Sequence, residues 1–282
     1  MSEVIACANQ KGGVGKTTTV VNLAANLALD AWRVLLVDMD PQGNATSGVG
    51  IEKEALEVSL YDVLLFDSEA TTAIRPTAQA RLAILPSSRS LSGAEVELVP
   101  NPGRERRLRK ALESVRGDFD FILLDCPPSL GLLTVNALTA ADSVLIPLQC
   151  EYYALEGLGQ LMATVDLIRD HLNPDLSLRG VILTMHDGRT SLSADVTAEV
   201  RRHLGDQVFD VVVPRSVRLA EAPSYGQPIT EYSPNSRGAL AYQAIAAELL
   251  TRGGQVPGEA LIGAHERYQT PGRDLEVEAA NA

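Results

Sequence analysis

The sequence predicts an α/β protein with a doubly wound, mostly parallel sheet flanked by helices. Three observations lead to this fold class. Short apolar runs alternate with segments of helical periodicity, two of these runs end in aspartate, and the first is followed by a glycine-rich loop that opens a helix. Such alternation is typical of βαβ units. With 282 residues and 45% hydrophobic composition, the chain can bury one sizeable core, so a single domain is expected.

The first βα unit predicts a phosphate-binding loop. Residues 4–8 are an apolar run typical of a buried strand, and residues 9–19 read Asn-Gln-Lys-Gly-Gly-Val-Gly-Lys-Thr-Thr-Thr. Apolar positions then recur at helical spacing, which predicts a helix over 16–29. Glycines allow the backbone to approach a ligand closely, and the first-turn amides and dipole of a helix favour an anion. The alternative, a glycine-rich turn without a ligand, does not explain why strand, loop, Gly-Lys-Thr and helix are in register.

This loop predicts an ATP site with magnesium. Lys16 is expected to pair with the β- and γ-phosphates, and the Thr17 hydroxyl to bind Mg²⁺. The loop residues expected to contact the nucleotide are Lys11, Gly12, Gly13, Val14, Gly15, Lys16, Thr17 and Thr18. The loop is also unusual, because Gln10 stands where the common pattern has glycine and Lys11 is a second lysine. A single lysine suffices for the phosphates, so Lys11 needs a separate explanation.

Two more apolar runs deliver carboxylates. Residues 34–38 predict a strand ending at Asp38, with Asp40 on the same face, and residues 119–125 predict a strand ending at Asp125. Ligands bind at the carboxyl ends of the strands in such sheets. We therefore expect Asp38 and Asp125 to help hold Mg²⁺, Asp125 through water. Taken alone, Asp40 or Asp125 could also be a cap at the end of a strand.

The remaining elements follow from periodicity. Further strands are expected near 82–85, 143–148, 178–184 and 207–213. Helices are expected near 59–66, 93–98, 104–116, 130–140, 155–171, 192–204 and 237–251. From about residue 253 the chain is polar, contains Gly and Pro, and loses its periodicity. The folded domain is therefore assigned to 1–252, and 253–282 is expected to be a mostly disordered tail.

Composition limits the classes of function. No apolar run approaches the ~20 residues of a membrane span, and because a strand is predicted so early, no signal peptide is expected. The three cysteines lack C-x-x-C spacing and are expected to be buried reduced thiols, which indicates a cytoplasmic location. The formal net charge of −12 argues against nucleic acid on bulk charge, so any DNA contact must be local.

Several motifs together resemble the ParA/Soj chromosome- and plasmid-partitioning ATPases. The motifs are the loop at 9–19, Val-Asp-Met-Asp-Pro-Gln-Gly-Asn-Ala-Thr-Ser-Gly at 37–48 and Asp-Cys-Pro-Pro at 125–128. Segments 183–190 and 213–224 are also similar to Soj-type sequences. These ATPases belong to the deviant Walker A group of P-loop NTPases, which also contains the division regulator MinD. The resemblance runs from the N-terminus to about residue 250.

The resemblance implies a switch that works as an ATP-bound homodimer. Lys11 would cross a sandwich dimer to the phosphates of the other subunit, and Asp40 would position the attacking water, so Lys11, Lys16 and Asp40 are the expected catalytic residues. Met185, Pro214 and Ser216 would lie at the purine base, with Ser216 where related chains often carry Asn. The dimer would bind DNA non-specifically and associate with the nucleoid. A ParB/Spo0J-type centromere-binding protein would stimulate slow hydrolysis.

The resemblance implies that Arg189 and Arg218 contact DNA. Residues 179–218 hold six arginines against five acids, a locally neutral stretch in an acidic protein. Arg201 and Arg202 are weaker candidates that equally fit a solvated helix face. The basic run Arg104–Lys110 is a rival DNA surface, which otherwise reads as an exposed amphipathic helix.

Two other functions fit the same scaffold. A MinD-like membrane-associated regulator would need a basic amphipathic helix at its C-terminus. This tail ends Asp-Leu-Glu-Val-Glu-Ala-Ala-Asn-Ala, so no stable membrane association is expected. A metabolic ATPase, either a ligase or an iron-protein reductase, is the second alternative. The reductase would need paired cysteine ligands, and Cys126 has no evident partner at matching spacing.

Overall fold

One seven-stranded sheet with helices on both faces forms the protein. The computed structural model describes residues 2–151 and 154–269. Its strands are β1 (Glu3–Cys7), β2 (Val34–Asp38), β3 (Arg75–Pro76), β4 (Leu82–Leu85), β5 (Phe121–Asp125), β6 (Ser143–Gln149) and β7 (Ser177–Thr184). Its helices are α1 (Lys16–Leu29), α2 (Asn44–Gly48), α3 (Leu60–Leu65), α4 (Ala70–Ala73), α5 (Leu91–Glu97), α6 (Arg107–Glu113), α7 (Leu132–Ala140), α8 (Ala154–His171), α9 (Ser191–Leu204), α10 (Val217–Glu221), α11 (Ile229–Tyr232), α12 (Arg237–Arg252) and α13 (Glu259–Gln269).

The sheet confirms the predicted fold class. Its strand order is β3-β4-β2-β5-β1-β6-β7, and every neighbouring pair is parallel except β3 with β4. Strand β1 lies inside the sheet, β6 and β7 extend the sheet on one side of it, and β5 occupies the position between β1 and β2. In the register of β2 and β5, Asp38 lies beside Asp125. The two predicted carboxylates therefore meet at one edge, as the parallel arrangement requires.

The core lies in two layers because strand side chains alternate between the faces of the sheet. Along β5, Ile122 and Leu124 join the cluster that packs beneath α3, α5, α6, α7 and α8. Phe121 and Leu123 join the cluster beneath α1 and α12. Strands buried on both faces read as continuous apolar runs rather than alternating ones. This is why the central strands could be located from sequence.

The predicted strand at 207–213 is wrong. This segment makes only isolated bridges to the β7 side, with Phe209 N donating to Val181 O at 2.9 Å and Val213 N donating to Leu183 O at 2.8 Å. Between them, Asp210 N and Val211 N turn to the buried Glu248 carboxylate instead, at 2.8 and 3.2 Å. A side chain thus takes the amides that a ladder would have used, which sequence periodicity does not reveal.

The tail also differs from the expectation of disorder from residue 253. Helix α13 packs along α12 and buries Leu261 and Ala264. Gly258 N donates to both carboxylate oxygens of Asp30, at 3.0 and 3.1 Å, and so fastens the connection. Tyr268, near the end of this helix, packs on the same core and donates its hydroxyl to Val212 O, and the polar composition of the segment hid these contacts. Residues 270–282 of the predicted tail lie outside the described residues.

Other differences concern short elements. The basic segment predicted as one helix over 104–116 is a 3₁₀ turn, Arg104–Arg106, followed by α6. Helices α2, α4, α10 and α11 and the two-residue strand β3 were not predicted. Elements of two to five residues carry too few turns or alternations to give a periodic signal. They form because neighbouring segments supply their contacts.

Candidate nucleotide site

The loop between β1 and α1 is shaped to surround a phosphate chain. Gly13 and Gly15 have φ values of +75° and +89°, the left-handed region that favours glycine. No side chain in the described ranges caps α1, whose N-cap is Gly15. Its first-turn amides therefore face the loop, where an anion can accept their hydrogen bonds. The geometry is that of the predicted phosphate-binding loop.

Hydrogen bonds from the neighbouring strands fix the loop. Asn9 Nδ2 donates to Pro147 O at 2.7 Å, and Asn9 Oδ1 accepts from Lys11 N at 3.0 Å. Thr184 Oγ1, at the end of β7, donates to Val14 O at 2.8 Å. These contacts hold the backbone before a ligand arrives, which reduces the ordering cost of binding. The sequence reasoning gave no role to Asn9, the first residue of the motif, or to Thr184, the last residue of β7.

Lys16 is placed inside the loop. Its side chain is buried with the rest of the residue, and its Nζ donates to Lys11 O at 3.2 Å. The ammonium is thus held over the backbone that would cradle the phosphates. Thr18 follows in the first turn of α1. The predicted role of Lys16 in pairing with the phosphates is consistent with this position.

Thr17, Asp38 and Asp125 form the part of the site suited to magnesium. Thr17 Oγ1 donates to Asp125 Oδ2 at 2.7 Å, while the buried Asp125 Oδ1 has no hydrogen-bond partner among the described residues. An unpartnered buried carboxylate oxygen calls for a cation or a water held by one. Within 2–151 and 154–269 no three His, Cys, Asp or Glu side chains converge on one metal position. Phosphate and water oxygens would thus complete the shell, as Mg²⁺ prefers.

Burial makes these carboxylates costly to ionise without a cation. It raises the pKa of Asp38 from 3.8 to about 6, against the hydrogen bonds that Asp38 accepts from Thr46. Burial also raises the pKa of Asp125 well above 3.8, and the neighbouring Asp38 charge adds to the rise. Two adjacent carboxylates shielded from water favour binding of a divalent cation, whose charge would lower both pKa values again. The residues present fit Mg²⁺.

Asp40 lies two residues after Asp38, at the start of the loop that leads into α2. It is buried, and its Oδ1 accepts from Gln42 N at 2.9 Å. Its carbonyl accepts from the Ser87 hydroxyl at 2.7 Å. Thr46, in α2, donates to Asp38 Oδ2 from both its amide and its hydroxyl, each at 2.7 Å. The loop that carries Asp40 is therefore tied directly to Asp38.

Lys11 points to a partner that the sequence did not suggest. Its Nζ lies 2.5 Å from Glu151 Oε2, with the two side chains 46% and 43% exposed. Glu151 follows β6 and also accepts from Gln149. An ion pair this exposed contributes about 0–1 kcal/mol. It holds Lys11 at the mouth of the loop while leaving it easy to release.

The predicted base-binding residues lie on two adjoining segments after β7. Met185 follows the last residue of β7 and has a φ of +52°. A parallel bridge joins His186 to Pro214, with Arg215 N donating to His186 O at 3.0 Å. Ser216 is the N-cap residue of α10. Because Thr184 contacts the loop at Val14, this corner adjoins the phosphate loop, as a base pocket requires.

Both predicted DNA arginines are on the surface and paired with nearby acids. Arg189 makes a two-point contact with Asp187, at 2.9 and 2.8 Å, and its side chain is 88% exposed. Arg218 Nη1 lies 3.1 Å from Glu221 Oε2, with 60% of its side chain exposed. Arg201 is engaged with the carbonyls of Phe209 and Asp210, so it is a structural residue rather than a free surface charge.

In the rival basic surface, Arg104–Lys110, some side chains form ion pairs and others form none with the residues that the structure describes. Arg107 and Lys110 pair with Asp67, and Arg104 pairs with Glu105. Arg106 and Arg109 are exposed. This surface lies on α6 and the 3₁₀ turn before it, on the face of the sheet opposite α1. A DNA contact there would involve a different face from one at Arg189 and Arg218.

Comparison with known proteins gives the chain its relatives. Residues 2–178 match a family model described as an AAA domain. The chain is 56% identical over 253 residues to the sporulation initiation inhibitor protein Soj of Bacillus subtilis, covering 90% of this chain and 100% of that protein. It is 54% identical over 252 residues to the chromosome partitioning protein ParA of Myxococcus xanthus, covering 89% of each.

A solved structure shares the fold. A crystal structure named cobyrinic acid a,c-diamide synthase from Mycobacterium smegmatis, with bound ADP and magnesium, has a TM-score of 0.80 and 41% identity. The match covers 91% of this chain and 98% of that one. In the part of the chain that the structure describes, no helix is both long and apolar enough to cross a bilayer.

Proposed function

Because the chain belongs to the ParA/Soj family of P-loop partitioning ATPases, we propose that it is an ATP-dependent switch for chromosome or plasmid partitioning. The observation that carries the proposal is the pairing of a complete phosphate loop with a second, exposed lysine at its mouth. Lys16 is buried within one subunit's loop, whereas Lys11 lies at the surface in an exposed ion pair with Glu151 that it can leave at little cost. A site that needs both lysines is completed by a second copy of the chain.

The chemistry is hydrolysis of ATP to ADP and phosphate. Lys16 and the first-turn amides of α1 hold the β- and γ-phosphates. Bound magnesium supplies charge neutralisation on the phosphates, and Thr17, Asp38 and Asp125 are the residues that would hold it. Asp40 orients the attacking water and can accept a hydrogen bond from it. Glycines 12, 13 and 15 and Val14 let the backbone follow the phosphate chain.

Lys11 supports this reaction from the other subunit. A cation that reaches the transferring phosphoryl group offsets its developing charge, and in related phosphoryl transfers an arginine in that role contributes about 10³–10⁵ in rate. In the monomer Lys11 is held by Glu151 at the surface. Hydrolysis is therefore slow until two ATP-bound chains meet. The nucleotide acts as a timer on the dimer.

The dimer binds DNA through Arg189 and Arg218 without reading sequence. Both side chains are exposed and their acid partners are surface pairs of small energy, so phosphates can replace those partners. A dimer presents twice the contacts of a monomer, which links DNA affinity to ATP without any new residue. A ParB/Spo0J-type partner stimulates hydrolysis and returns the protein to monomers. ATP-bound protein would then be nucleoid-associated and the remainder cytoplasmic.

The base of ATP is assigned to Met185, Pro214 and Ser216. In support, the bridge between His186 and Pro214 joins the two segments, and Thr184, which precedes Met185, donates to Val14 O in the phosphate loop. Ser216 offers a hydroxyl and backbone groups where a purine edge could hydrogen-bond. GTP would test this assignment, since its different donor and acceptor pattern should weaken binding.

The deciding experiment measures ATP turnover with and without DNA and a ParB-type protein encoded beside the gene. We expect slow basal turnover that rises when both are added. Asp40→Ala should dimerise with ATP, by light scattering, yet hydrolyse poorly. Monomeric behaviour of Asp40→Ala with ATP, or turnover indifferent to DNA and partner, would contradict the proposal.

The 41% identity to a protein named as a diamide synthase favours one alternative, an ATP-dependent metabolic ligase. The same assay separates the two functions. A ligase would turn over ATP only with its small-molecule substrate and would ignore DNA. Vesicles of anionic lipid, added in place of DNA, test the MinD-like alternative, for which ATP-dependent sedimentation with the vesicles is the diagnostic result.

A further inference from the structure

Two glycines bring the loop after α2 into direct backbone contact with the turn after α10. Gly50 and Gly226 have φ values of +79° and +65°. A β-carbon on Gly226 would lie 3.0 Å from Gly50 Cα and 3.3 Å from Ser47 O, and one on Gly50 would lie 3.2 Å from Gly226 O. Only glycine combines this closeness with these torsions. The two backbones therefore touch with no side chain between them.

The Gly50 side of this contact leads to the magnesium carboxylates. Thr46 donates twice to Asp38 Oδ2 at 2.7 Å, and its hydroxyl accepts from Ser87 N at 3.0 Å. Ser47 O, one residue later, accepts from Gly50 N at 3.0 Å. The position of Gly50 is thus set, through α2, by the carboxylate that would hold magnesium with the nucleotide.

The Gly226 side leads to Arg218. Helix α10 continues directly into the 3₁₀ turn Ala222–Tyr225, and Gly226 ends that turn with its amide donating to Pro223 O at 3.1 Å. We call α10 and this 3₁₀ turn the α10 unit. Within it, Glu221 accepts hydrogen bonds from both Arg218, at 3.1 Å, and Tyr232, at 3.0 Å. A shift of Gly226 would carry this whole short unit, including its arginine.

A fixed point lies on the far side of the turn. Asn22 Oδ1, on the buried face of α1, accepts from Ile229 N at 2.7 Å. Helix α1 is anchored by the sheet and starts at the phosphate loop, so Ile229 is held in place. Motion of Gly226 would therefore tilt the α10 unit about Ile229 rather than move the segment as a whole.

We propose that the Gly50–Gly226 contact transmits the state of the nucleotide site to Arg218 and so orients that arginine for DNA. The inference rests on the proposed function, since it concerns how ATP regulates the DNA surface. Backbone packed on backbone resists compression, so a displacement of the α2 loop is passed on rather than absorbed by a side chain. ATP would then act on DNA binding twice, by making dimers and by placing Arg218.

The test uses Gly226→Ala and, from the opposite side, Gly50→Ala. Hydrogen exchange of backbone amides 217–228 is measured with and without magnesium and a non-hydrolysable ATP analogue. In the unmodified protein we expect the nucleotide to change exchange in this segment as well as at 12–17. In either variant the change at 12–17 should persist and the change at 217–228 should be lost. The ratio of DNA affinities in the ATP and ADP states should fall by at least about fivefold, a typical coupling.

Gly254→Ala is the matched control. Gly254 also has a positive φ, +74°, but a β-carbon there meets nothing within 4 Å. The control therefore carries the backbone cost without disturbing a contact, and it should behave like the unmodified protein. The inference is overturned if exchange at 217–228 does not respond to the nucleotide in the unmodified protein, or if it still responds in either variant. Absence of ATP-dependent DNA binding with coupled exchange intact would count against the proposed function instead.

Discussion

The nucleotide edge and the arginine surface of this molecule differ in how they hold charge. At the nucleotide edge Lys16, Asp38 and Asp125 are nearly or fully inaccessible to water, and an oxygen of Asp125 has no partner in the described structure. At the arginine surface Arg189 and Arg218 are mostly exposed and each has an acid beside it. Buried charge without its ligand is costly, whereas exposed pairs exchange partners at little cost. The nucleotide site therefore suits a tightly held ligand, and the proposed DNA surface suits reversible contacts.

The largest effect that would test this comparison is at Lys16. Lys16→Ala removes the buried ammonium that we propose pairs with the phosphates, and we expect ATP affinity to fall by about 100-fold or more, the scale of a lost charged hydrogen bond. Titration calorimetry with magnesium and ATP measures it. Lys110→Ala, at an exposed lysine paired with Asp67, is the control and should bind normally. Retained affinity in Lys16→Ala would show that the loop binds nucleotide by another route.

The next largest effect concerns the arginine surface. If each subunit neutralises about two phosphates, the dimer neutralises about four, and the slope of log affinity against log salt is about −3.6. Raising salt from about 50 to 200 mM would then weaken DNA binding about 100-fold. The double variant Arg189→Ala with Arg218→Ala should bring that slope close to zero while ATP binding persists.

The matched control for the arginine variant lies on the rival basic surface. Arg106→Ala with Arg109→Ala removes the same charge from the exposed part of the Arg104–Lys110 segment. This control should keep the salt slope and the affinity for non-specific duplex. The opposite pattern, in which the control loses DNA binding and the first double variant keeps it, would move the DNA site to α6.

A smaller effect tests the cost of burying charge at the nucleotide edge. Asp125→Asn removes a buried carboxylate whose pKa lies above 3.8 and whose oxygen is unpartnered. A carboxyl group whose pKa is raised on folding stabilises the folded protein below its unfolded pKa of 3.8. This contribution is lost as the pH rises through the folded pKa. Without nucleotide and magnesium, the variant should therefore be more stable than the unmodified protein at neutral pH, by about 1–3 kcal/mol.

Thermal unfolding in EDTA measures this gain, which corresponds to about 2–4 °C in Tm per kcal/mol for a domain of this size. The neighbouring Asp38 likewise loses its stabilising contribution as pH rises through its pKa of about 6. Added magnesium and ATP should stabilise the unmodified protein and have little effect on the variant. A lower Tm for Asp125→Asn at neutral pH would mean that the carboxylate supports the apo fold.

The smallest effect is expected at the exposed ion pair between Lys11 and Glu151, which lies at the mouth of the nucleotide site. Glu151→Gln releases Lys11 in the monomer, and since the exposed pair contributes about 0–1 kcal/mol, ATP-dependent dimerisation should strengthen by no more than about fivefold. Sedimentation with a non-hydrolysable ATP analogue measures the dimer constant. Weaker dimerisation would show instead that Glu151 supports Lys11 within the dimer. Glu156→Gln, on α8, serves as a charge-matched control.

Sequence reasoning located most of the sheet because strands buried on both faces are continuous apolar runs. It failed at 207–213, where Glu248, distant in sequence, takes two backbone amides. It also failed at α13, whose anchorage depends on Asp30 and on packing against α12. In both cases the deciding contact joins segments far apart in the chain. Local patterns contain no information about such contacts.

The sequence by itself determined the chemistry of this protein. The loop at 9–19, the aspartates at the ends of two apolar runs and the surplus lysine predicted a phosphate site because each residue type has a fixed role at a helix start or strand end. Only the tertiary structure decided which groups meet. It placed Asp38 beside Asp125, gave Lys11 its partner Glu151, and brought Gly50 against Gly226, because strand order and loop packing set distances that sequence spacing does not.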